Sequence, residues 1–393
     1  MDDEIIMYFI EKTNDTNYFK QFDYLLFISI IILSIIGLVV LSSATRAISG
    51  GSGKMKTQIV SVILGIIIAI IISAFDYNSF KAIGFVFYIF CIGLLIYVLL
   101  RGVGYEEVGS NSWIIIPLAG ILDVSFQPSE LARVALVILL SDFLERIKEG
   151  QDIKKNIIKF IIYSIIPVGL IIMQPDFGMA MVYIVAIFIM VYICGVRYKH
   201  IFITGGVFLA TVPFIWFFAL NDRRKKRILE FIFPGSDPGN SSYQVDMAEI
   251  AIGSGRLYGS GLYKGIQTQT PPNIGGVPVR ESDMIFTVIG EEFGFIGSVL
   301  VIALIVFIIL RCIHIARNAR DHYGSFLVTG LTAMLAYQFI QNIGMCMRLL
   351  PVTGLPLPFV SAGGSAMLVN YMSIGIILSV SLRRKRTMFS RQQ

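Results

Sequence analysis

The sequence predicts an all-α polytopic membrane protein with about ten transmembrane helices and one long extracytoplasmic loop between spans seven and eight. Of its 393 residues, 55% are hydrophobic and only 15% are charged, with a mean hydropathy of +0.76, whereas soluble globular proteins carry about 25% charged residues. Many apolar runs approach the roughly 20 residues that a helix needs to cross a bilayer. The short alternating segments typical of membrane barrels are not seen. This composition therefore implies lipid as the solvent.

Ten apolar runs follow one another along the chain, and an even number of spans places both termini on one side. The fourth run is short and amphipathic, which makes it the least apolar of the set. The runs cover residues 24–45, 58–75, 83–100, 128–144, 157–173, 177–195, 201–220, 284–310, 326–347 and 364–382. The membrane domain is therefore predicted at 24–382, with an N-terminal segment at 1–23 and a basic tail at 383–393.

Lysine and arginine indicate the orientation, because short cytoplasmic loops carry an excess of both. Ten spans place four basic segments on the same side, which is predicted to be the cytoplasm. These segments lie near 145–159, 196–200 and 311–322 and in the tail. Arg46, Lys54 and Lys56 conflict with the rule, since they lie between the first two spans on the opposite side.

Residues 221–283 form the one large soluble segment that the pattern predicts. It is rich in Gly, Ser and Pro, as in "FPGSDPGNSSYQ" and "TPPNIGG", and its stretch "VDMAEIAIGSG" predicts a short surface helix. Its basic run at 223–227 is a candidate for binding anionic headgroups or a pyrophosphate, or else a plain solvated charge run. A loop of this length is a functional candidate or a linker.

Composition and motifs argue against several other functions. The net charge of +6 requires no nucleic-acid partner. The sequence has no P-loop, H-E-x-x-H, dinucleotide fingerprint or paired Cys-x-x-Cys, so nothing indicates an organic cofactor or a bound zinc ion. The four cysteines fall in or beside apolar runs, where buried small apolar residues are expected. They are Cys91, Cys194, Cys312 and Cys346.

Three helices predicted to start on the outer side open with a carboxylate. Glu130 lies in the first turn after Pro128 in "FQPSELAR", and Asp176 opens span six in "QPDFG". Asp283 opens span eight in "RESDMIF". A helix N-terminus carries about half a positive charge and unpaired N–H groups, so an ionised carboxylate is stabilised there. Each of the three is therefore either a simple helix cap or a functional carboxylate.

Asp283 stands out by its position, because it ends the only long outer loop and begins a span. A carboxylate at this point can contact an aqueous substrate and lie beside the membrane at once. Glu291 and Glu292 follow within the same apolar run, and charges so deep in a span normally point into a bundle or cavity. For these two, structural pairing explains the residues at least as well as chemistry does.

The last span opens with the motif "LPLPFVSAGGSAM" at 355–367. Small residues in this motif are candidates for a backbone nest that binds an anion at a helix start. They are Ser361, Gly363, Gly364 and Ser365. The alternative is a tight turn with close helix packing. In span nine, Gln338, Gln341 and Asn342 share one helix face, where hydrogen bonds between helices are the expected role.

Five motifs occur in an order that resembles the SEDS family, which comprises RodA, FtsW and SpoVE. They are "FQPSELAR", "QPDFGMA", "YQVDMAEIAIGSGRLYGSGLYKGIQTQ", "ESDMIFTVIGEEFGFIG" and "LLPVTGLPLPFVSAGGS". The resemblance extends from about residue 24 to residue 382, and the last two motifs are the most specific. Within the family, "GIQTQ" and "EEFGFIG" lean slightly towards RodA.

The resemblance implies a ten-span peptidoglycan glycosyltransferase of the bacterial cytoplasmic membrane, with both termini cytoplasmic. Such an enzyme polymerises lipid II into a growing glycan strand on the outer face. Its implied partners are a class B penicillin-binding protein, other elongation or division machinery and membrane lipids. The family's catalytic aspartate falls on Asp283 in "SDMIF" at 282–286. Its carboxylate is expected to take the proton from the attacking sugar hydroxyl.

The pyrophosphate leaving group needs cations or a metal ion to stabilise its charge. The candidate cations are Lys264, Arg256, Arg280 and the run at 223–227. A divalent ion, Mg²⁺ or Mn²⁺, held partly by Asp283 is an alternative source of this charge. Glu130 and Asp176 are the other candidates for substrate binding.

The sequence departs from the family pattern at several positions. Ser112 stands where an Arg is usual, before Trp113, while Met179 and Ala362 replace a usual Thr and a usual aromatic residue. None of these changes removes the carboxylate at Asp283. Two other functions stay open, a flippase for lipid-linked peptidoglycan precursor and a non-catalytic scaffold for a penicillin-binding protein. A role in elongation, division or sporulation is equally open.

Overall fold

The computed structural model describes residues 21–48, 50–103, 112–118, 122–195, 225, 229, 231–233, 240–271 and 274–384. These residues form a bundle of helices with one small hairpin. The helices are α1 (Tyr24–Ala44), α2 (Gly51–Ala74), α3 (Tyr77–Arg101), α4 (Pro128–Lys148), α5 (Ile153–Met173), α6 (Phe177–Ile193), α7 (Asn240–Ser254), α8 (Ile266–Gln269), α9 (Ile285–Arg317), α10 (His322–Cys346) and α11 (Gly364–Leu382). The hairpin consists of β1 (Ile114–Leu118) and β2 (Leu122–Phe126).

Nine of the ten predicted spans fall on helices, and the predicted helical, polytopic membrane fold is confirmed. Seven described helices are long and apolar enough to cross a membrane, namely α1, α2, α3, α5, α9, α10 and α11. Helix α6 is apolar but shorter, with 17 residues. The predicted span 201–220 and most of the basic run 223–227 lie outside the described residues, so the count of ten stays a prediction. The predicted surface helix in the outer loop corresponds to α7.

The fourth predicted span is the amphipathic helix α4, which lies in the middle of the bundle against α3, α5, α10 and α11. Seventeen of its 21 residues are buried. A helix enclosed by other helices needs no lipid-facing stripe, and charges inside a membrane domain are tolerated when they are paired. Near one end Glu130 pairs with Arg133 at 2.9 Å, and near the other Glu145 pairs with Lys81 of α3.

The hairpin is a small departure from the predicted all-α class. Strands β1 and β2 pair in antiparallel register, beginning with Ile114 opposite Phe126. Three consecutive isoleucines at 114–116 favour a strand, because β-branched side chains fit a pleated surface. The hairpin leads directly into Gln127, the residue before α4, and so sets where that helix begins.

The bundle has two ends, named here after the aspartates that mark them. At the Asp23 end, Asp23 pairs with Arg311 near the C-terminus of α9 at 2.9 Å. At the same end, the Tyr77 hydroxyl of α3 donates to Asp321, the cap of α10, at 2.6 Å. Helices α4, α6, α9 and α11 begin at the opposite end, the Asp283 end. The three helices predicted to open with carboxylates therefore start on one side of the molecule.

Helix α9 is interrupted at Gly294, where φ is 66° and ψ is −163°. The part before this kink, 285–293, is almost entirely buried, while the part after it carries many exposed apolar side chains. Asp283 therefore precedes a short buried helix at the Asp283 end of the bundle, and the lipid-facing part of α9 begins only after the kink.

The kink interrupts the hydrogen bonds within α9, and backbone N–H groups of the outer loop donate to two of its carbonyls instead. The N–H groups of Ser260 and Gly261 donate to the carbonyls of Glu291 and Glu292 at 2.9 and 3.0 Å. A Cβ on Gly294 would lie 2.3 Å from the backbone nitrogen of Gly259. The loop and the kink thus form one packed unit that requires glycine at position 294.

Candidate active site

Asp283 lies in the turn that leads into α9, and hydrogen bonds within the turn fix its shape. The N–H of Met284 donates to the carbonyl of Val279 at 3.2 Å. The Ser282 hydroxyl donates to Oδ1 of Asp283 at 3.0 Å. Asp283 as a whole residue is only partly buried, so this turn is not sealed inside the bundle.

Asn342, near the C-terminus of α10, ties this turn to a second segment. Its fully buried side-chain amide donates to the Asp283 carbonyl at 2.8 Å and to the Leu355 carbonyl at 2.7 Å. Leaving either carbonyl unpaired in the interior would cost free energy, so both are held firmly. The backbone position of Asp283 is therefore set by α10.

The segment before α11 lies against the same turn. The Ser361 hydroxyl donates to the Ser282 carbonyl at 2.6 Å and accepts from the N–H of Leu357 at 2.8 Å. The Gln58 side chain of α2 donates to the Ser361 carbonyl at 2.9 Å and accepts from the N–H of Gly363 at 3.1 Å. Ser361 and Gly363, two of the predicted site residues, thus lie close to Asp283 with their polar groups bonded within the protein.

Gly364 and Ser365 begin α11, and Gly363 occupies the N-cap position before them. A Cβ on Gly364 would lie 3.2 Å from the Ser61 hydroxyl of α2, and Ser365 is buried. The motif is therefore closely packed, as the alternative interpretation of a tight turn expects. Its role in anion binding stays a prediction.

The loop at 353–355 lies between the Asp283 carboxylate and the start of α6. Gly354 has a φ of +74°, and a Cβ there would lie 3.3 Å from Oδ2 of Asp283. A Cβ on Gly178, in the first turn of α6, would lie 2.8 Å from the Thr353 carbonyl. The starts of α6 and α9 therefore approach each other across this one loop.

Asp176 and Glu130 lie at neighbouring helix starts. Asp176 caps α6, because its Oδ1 accepts from the N–H of Met179 at 3.1 Å. Its Oδ2 accepts from the side chain of Gln127, just before α4, at 2.9 Å. Glu130 follows Pro128 in the first turn of α4 and is fully buried. The predicted cap role of Asp176 is confirmed, and its carboxylate also joins two helices.

Glu130 belongs to a buried polar cluster that crosses three helices. Arg133 pairs with Glu130 and donates to Gln338 of α10 and to Asn370 of α11. All four side chains are at least 97% buried. The interhelical bond predicted for the amides of span nine is thus observed at Gln338. Glu130 serves this cluster, while its contact with substrate stays a prediction.

The predicted cations occupy different environments. Arg280 is fully buried and donates to the carbonyls of Ala44 at 3.1 Å and of Thr270. Burial lowers the pKa of Arg280. This arginine therefore holds α1 and the outer loop together. Lys264 and Arg256 are exposed in the outer loop, at the same end of the bundle as Asp283.

Glu291 and Glu292 serve structural roles. The carboxylate of Glu291 accepts two backbone N–H groups at the start of α8, at 2.8 Å each. Glu292 accepts from the Ser43 hydroxyl at 2.6 Å and from the Gln269 amide at 3.0 Å. The pairing predicted as an alternative for these two residues is confirmed, with neutral donors in the place of an arginine.

Metal-binding capacity is limited in the part of the chain that the structure describes. No three His, Cys, Asp or Glu side chains gather there, and all four cysteines are buried free thiols, as predicted. Mg²⁺ is often held by one or two carboxylates together with substrate phosphates. An ion shared between Asp283 and a substrate in this way stays a prediction.

Three residues that organise the site were not predicted to do so. Gln58 and Asn342 donate to its backbone carbonyls, and Gly354 faces the carboxylate. For Gln58 the available signal is an amide at the start of an apolar run. The partners of all three are backbone or side-chain groups distant in sequence, and no local pattern reveals those.

Comparisons with known proteins by sequence and by structure agree on one family. The FtsW/RodA/SpoVE family, described as "Cell cycle protein", matches residues 23–386. The probable peptidoglycan glycosyltransferase FtsW of Geobacter metallireducens is 30% identical over 375 residues, which cover 94% of this chain and 96% of that protein. The peptidoglycan glycosyltransferase MrdB of Escherichia coli K12 is 31% identical over 333 residues, which cover 85% of this chain and 87% of that protein.

The fold is shared with a chain of a solved peptidoglycan synthase complex that coordinates polymerization and crosslinking. The TM-score is 0.75 at 25% identity, covering 92% of this chain and 97% of that chain. The FtsW and MrdB relatives are almost equally similar, so the lean towards RodA stays a prediction. Because the family match extends over all the membrane helices described, this chain belongs to the FtsW/RodA/SpoVE family of cell cycle proteins.

Proposed function

We propose that this protein is a peptidoglycan glycosyltransferase that polymerises lipid II into glycan strands. Relatives named as peptidoglycan glycosyltransferases cover most of the chain at 30% and 31% identity. The observation that carries the proposal is the position of Asp283. Asp283 is only partly buried at a helix start, while Asn342 and Ser361 hold the surrounding backbone.

The reaction needs a base where the acceptor sugar is activated. The acceptor 4-hydroxyl oxygen forms a bond to the anomeric carbon of the donor, and the bond from that carbon to the pyrophosphate oxygen breaks. The pyrophosphate leaves with the electron pair, and the hydroxyl proton passes to the Asp283 carboxylate. General base catalysis of this kind contributes roughly 10²–10⁴-fold to a rate. Ser282 orients Oδ1 for this role.

The charge of the leaving pyrophosphate needs a counter-charge at the same end. Lys264 and Arg256 are exposed there and are our candidates from the predicted cations. Arg280 already serves two backbone carbonyls, so we assign it to the wall of the site. A divalent cation held by Asp283 and the substrate phosphates would supply further positive charge when bound.

The proposed location is the bacterial cytoplasmic membrane, with the Asp283 end outside and both termini in the cytoplasm. Among the described residues, the basic groups of short connections concentrate at the Asp23 end, as short cytoplasmic loops do. They include Arg146, Lys148, Arg317 and Arg320. We further propose a class B penicillin-binding protein as partner, because the matched fold occurs in a complex that also crosslinks.

The structure offers an argument against the flippase alternative. A path for a sugar headgroup needs polar groups through the whole bundle. On α4, the polar cluster around Glu130 and the ion pairs around Glu145 are separated by an unbroken apolar stretch, 134–140, whose residues are all buried. The polar groups of this central helix therefore lie near its two ends, which suits a reaction at one surface.

The proposal is tested by supplying the purified protein with labelled lipid II and Mg²⁺ or Mn²⁺, with and without its penicillin-binding partner. Glycan polymer on a gel is the expected product, and it should form when the partner's transpeptidase site is blocked. Transfer of lipid II across vesicle membranes without polymer would instead indicate a flippase. A requirement for the partner's own polymerising activity would indicate a scaffold.

A further inference from the structure

Three basic residues lie at the Asp283 end where α2 follows α1, with Arg46 in the connection and Lys54 and Lys56 in the first two turns of α2. Short outer loops are normally poor in lysine and arginine, so Arg46, Lys54 and Lys56 need a reason to be there. Lys54 has one, since its ammonium pairs with Glu281 at 2.7 Å. Glu281 lies two residues before Asp283, so this pair fastens the start of α2 to the turn that holds Asp283.

Arg46 has a different environment. In the part of the chain that the structure describes, no carboxylate pairs with it, and its guanidinium lies over the ring of Tyr263 at 5.3 Å. The Tyr263 hydroxyl is itself bonded to Ser42 at 2.8 Å. A guanidinium stacked on an aromatic ring keeps its N–H edge free to bind a phosphate through two hydrogen bonds.

Arg46 and Tyr263 line an open, solvent-facing pocket of about 640 Å³ between the end of α1 and the start of α2, called the cavity below. Ser42 and Ser52 contribute hydroxyl groups to its wall, and Met55 contributes an apolar surface. Helix α2 begins at this wall, with Gly51 and Ser52 among the lining residues, so the positive end of its dipole lies beside the site. The cavity therefore combines a cation, hydroxyls and an apolar side at the level of a helix end.

The cavity adjoins the proposed catalytic turn. Arg280 donates to the Ala44 carbonyl at 3.1 Å, next to the cavity residues Thr45 and Arg46. Together with the pair of Lys54 and Glu281, this contact joins the cavity wall to the segment 280–283. A group bound in the cavity is thus positioned relative to Asp283 by protein contacts.

We propose that this cavity binds the pyrophosphate of a polyprenyl-linked sugar substrate before reaction, with Arg46 as the cation that holds it. Lys264 and Arg256 stay the candidates for the charge that develops as the pyrophosphate leaves. The inference rests on the proposed function and names the part of the substrate that is held. Basic pockets between membrane helices bind phosphate-bearing headgroups, and the cavity volume exceeds what one phosphate needs. The ordinary anionic phospholipid of the membrane is the rival source of the same chemistry.

Binding is measured on the full-length protein in nanodiscs of phosphatidylcholine, with a fluorescent polyprenyl pyrophosphate as the probe. All variants carry Asp283→Asn, so that turnover plays no part. We expect Arg46→Gln to weaken binding about tenfold, the equivalent of one lost charge-assisted hydrogen bond. Arg46→Lys should retain most of the affinity. Lys56→Gln, which removes an exposed charge from the start of α2 at the same end of the bundle, should change the affinity less than about twofold.

A second measurement separates this inference from the proposed reaction. With Asp283 intact, Arg46→Gln should raise the KM for lipid II about tenfold and leave kcat within about twofold, as expected for a group that binds substrate and transition state equally. Equal binding by the Arg46→Gln and Lys56→Gln proteins would overturn the site. So would displacement of the probe by phosphatidylglycerol at matched mole fraction. If Arg46→Gln still binds the probe about tenfold more weakly but the wild-type protein does not polymerise lipid II, the proposed function is refuted and the binding site is supported.

Discussion

At the residue scale, Gly354 leaves room for the Asp283 carboxylate. Its φ is +74°, and a Cβ would lie 3.3 Å from Oδ2 of Asp283. Gly354→Ala therefore combines a left-handed backbone cost of about 1–2 kcal/mol with a displaced carboxylate. We expect kcat for polymerisation to fall about a hundredfold, since misplacement of about 1 Å has that effect. Rates on lipid II and thermal unfolding together provide the measurement.

Gly150 is the matched control for this change. Its φ is +79°, and no atom lies within 4 Å of a Cβ built there. Gly150→Ala should lose similar stability and keep its activity. If both alanine variants lose activity equally, the effect comes from backbone strain and Gly354 has no special relation to Asp283.

Asn342 supports the backbone of Asp283 and is a positioning residue. Asn342→Ala would remove the amide from which the carbonyls of Asp283 and Leu355 accept, and the Asp283 carbonyl would keep the weaker Cys346 thiol donor at 3.8 Å. Loss of the donor to the buried Leu355 carbonyl alone costs about 1–3 kcal/mol. We expect a lower melting temperature and a kcat reduced at least about tenfold, with the KM for lipid II little changed. Gln341→Ala is the control, because that amide donates to the Pro351 carbonyl instead. Equal kcat values for the two variants would contradict the positioning role.

Carboxylates at helix starts could be predicted because the signal is local. Pro128 and Glu130 mark the first turn of α4, and Asp176 caps α6, as their sequence positions indicate. The partners of Asn342 could not be predicted, because they lie 59 and 13 residues away along the chain. The burial of Arg280 was equally hidden, since it depends on carbonyls at the end of α1 and in the outer loop.

At the element scale, α9 and the outer loop depend on the kink at Gly294. A Cβ there would lie 2.3 Å from the nitrogen of Gly259 and 2.8 Å from the carbonyl carbon of Leu257. Gly294→Ala should therefore release the loop at 255–261. We expect faster trypsin cleavage after Arg256 and a lower melting temperature. Gly253→Ala, where no atom lies within 4 Å of the added Cβ, should leave both unchanged; equal cleavage rates would show that the loop is held by other contacts.

The apolar pattern located the helices but not their interruptions. The run beginning at residue 284 reads as one span, because a single glycine with positive φ does not alter hydropathy. Helix α4 shows the opposite case, in which an amphipathic run lies at the centre of the bundle. Its charges are paired with side chains of other helices as well as its own, and sequence periodicity does not contain that information.

At the scale of the whole molecule, polymerisation on the outer face requires the Asp283 end to face outwards. The native cysteines are all buried, so an introduced thiol reports its own side. Tyr258, 80% exposed in the outer loop, lies at the Asp283 end, and Gln151 is exposed at the other. A membrane-impermeant maleimide on intact cells should label Tyr258→Cys, and Gln151→Cys only after permeabilisation. The reverse pattern would place Asp283 in the cytoplasm.

In the proposed reaction, the Asp283 carboxylate takes the proton from the attacking sugar hydroxyl. The most direct test of this step is the initial rate of lipid II polymerisation by purified Asp283→Asn protein, compared with Asp152→Asn, the same change at an exposed position at the Asp23 end. We expect the rate of Asp283→Asn to fall by about 10²–10⁴-fold, with unchanged thermal unfolding, and that of Asp152→Asn to remain at the wild-type level. Polymerisation by Asp283→Asn at the wild-type rate would contradict the account.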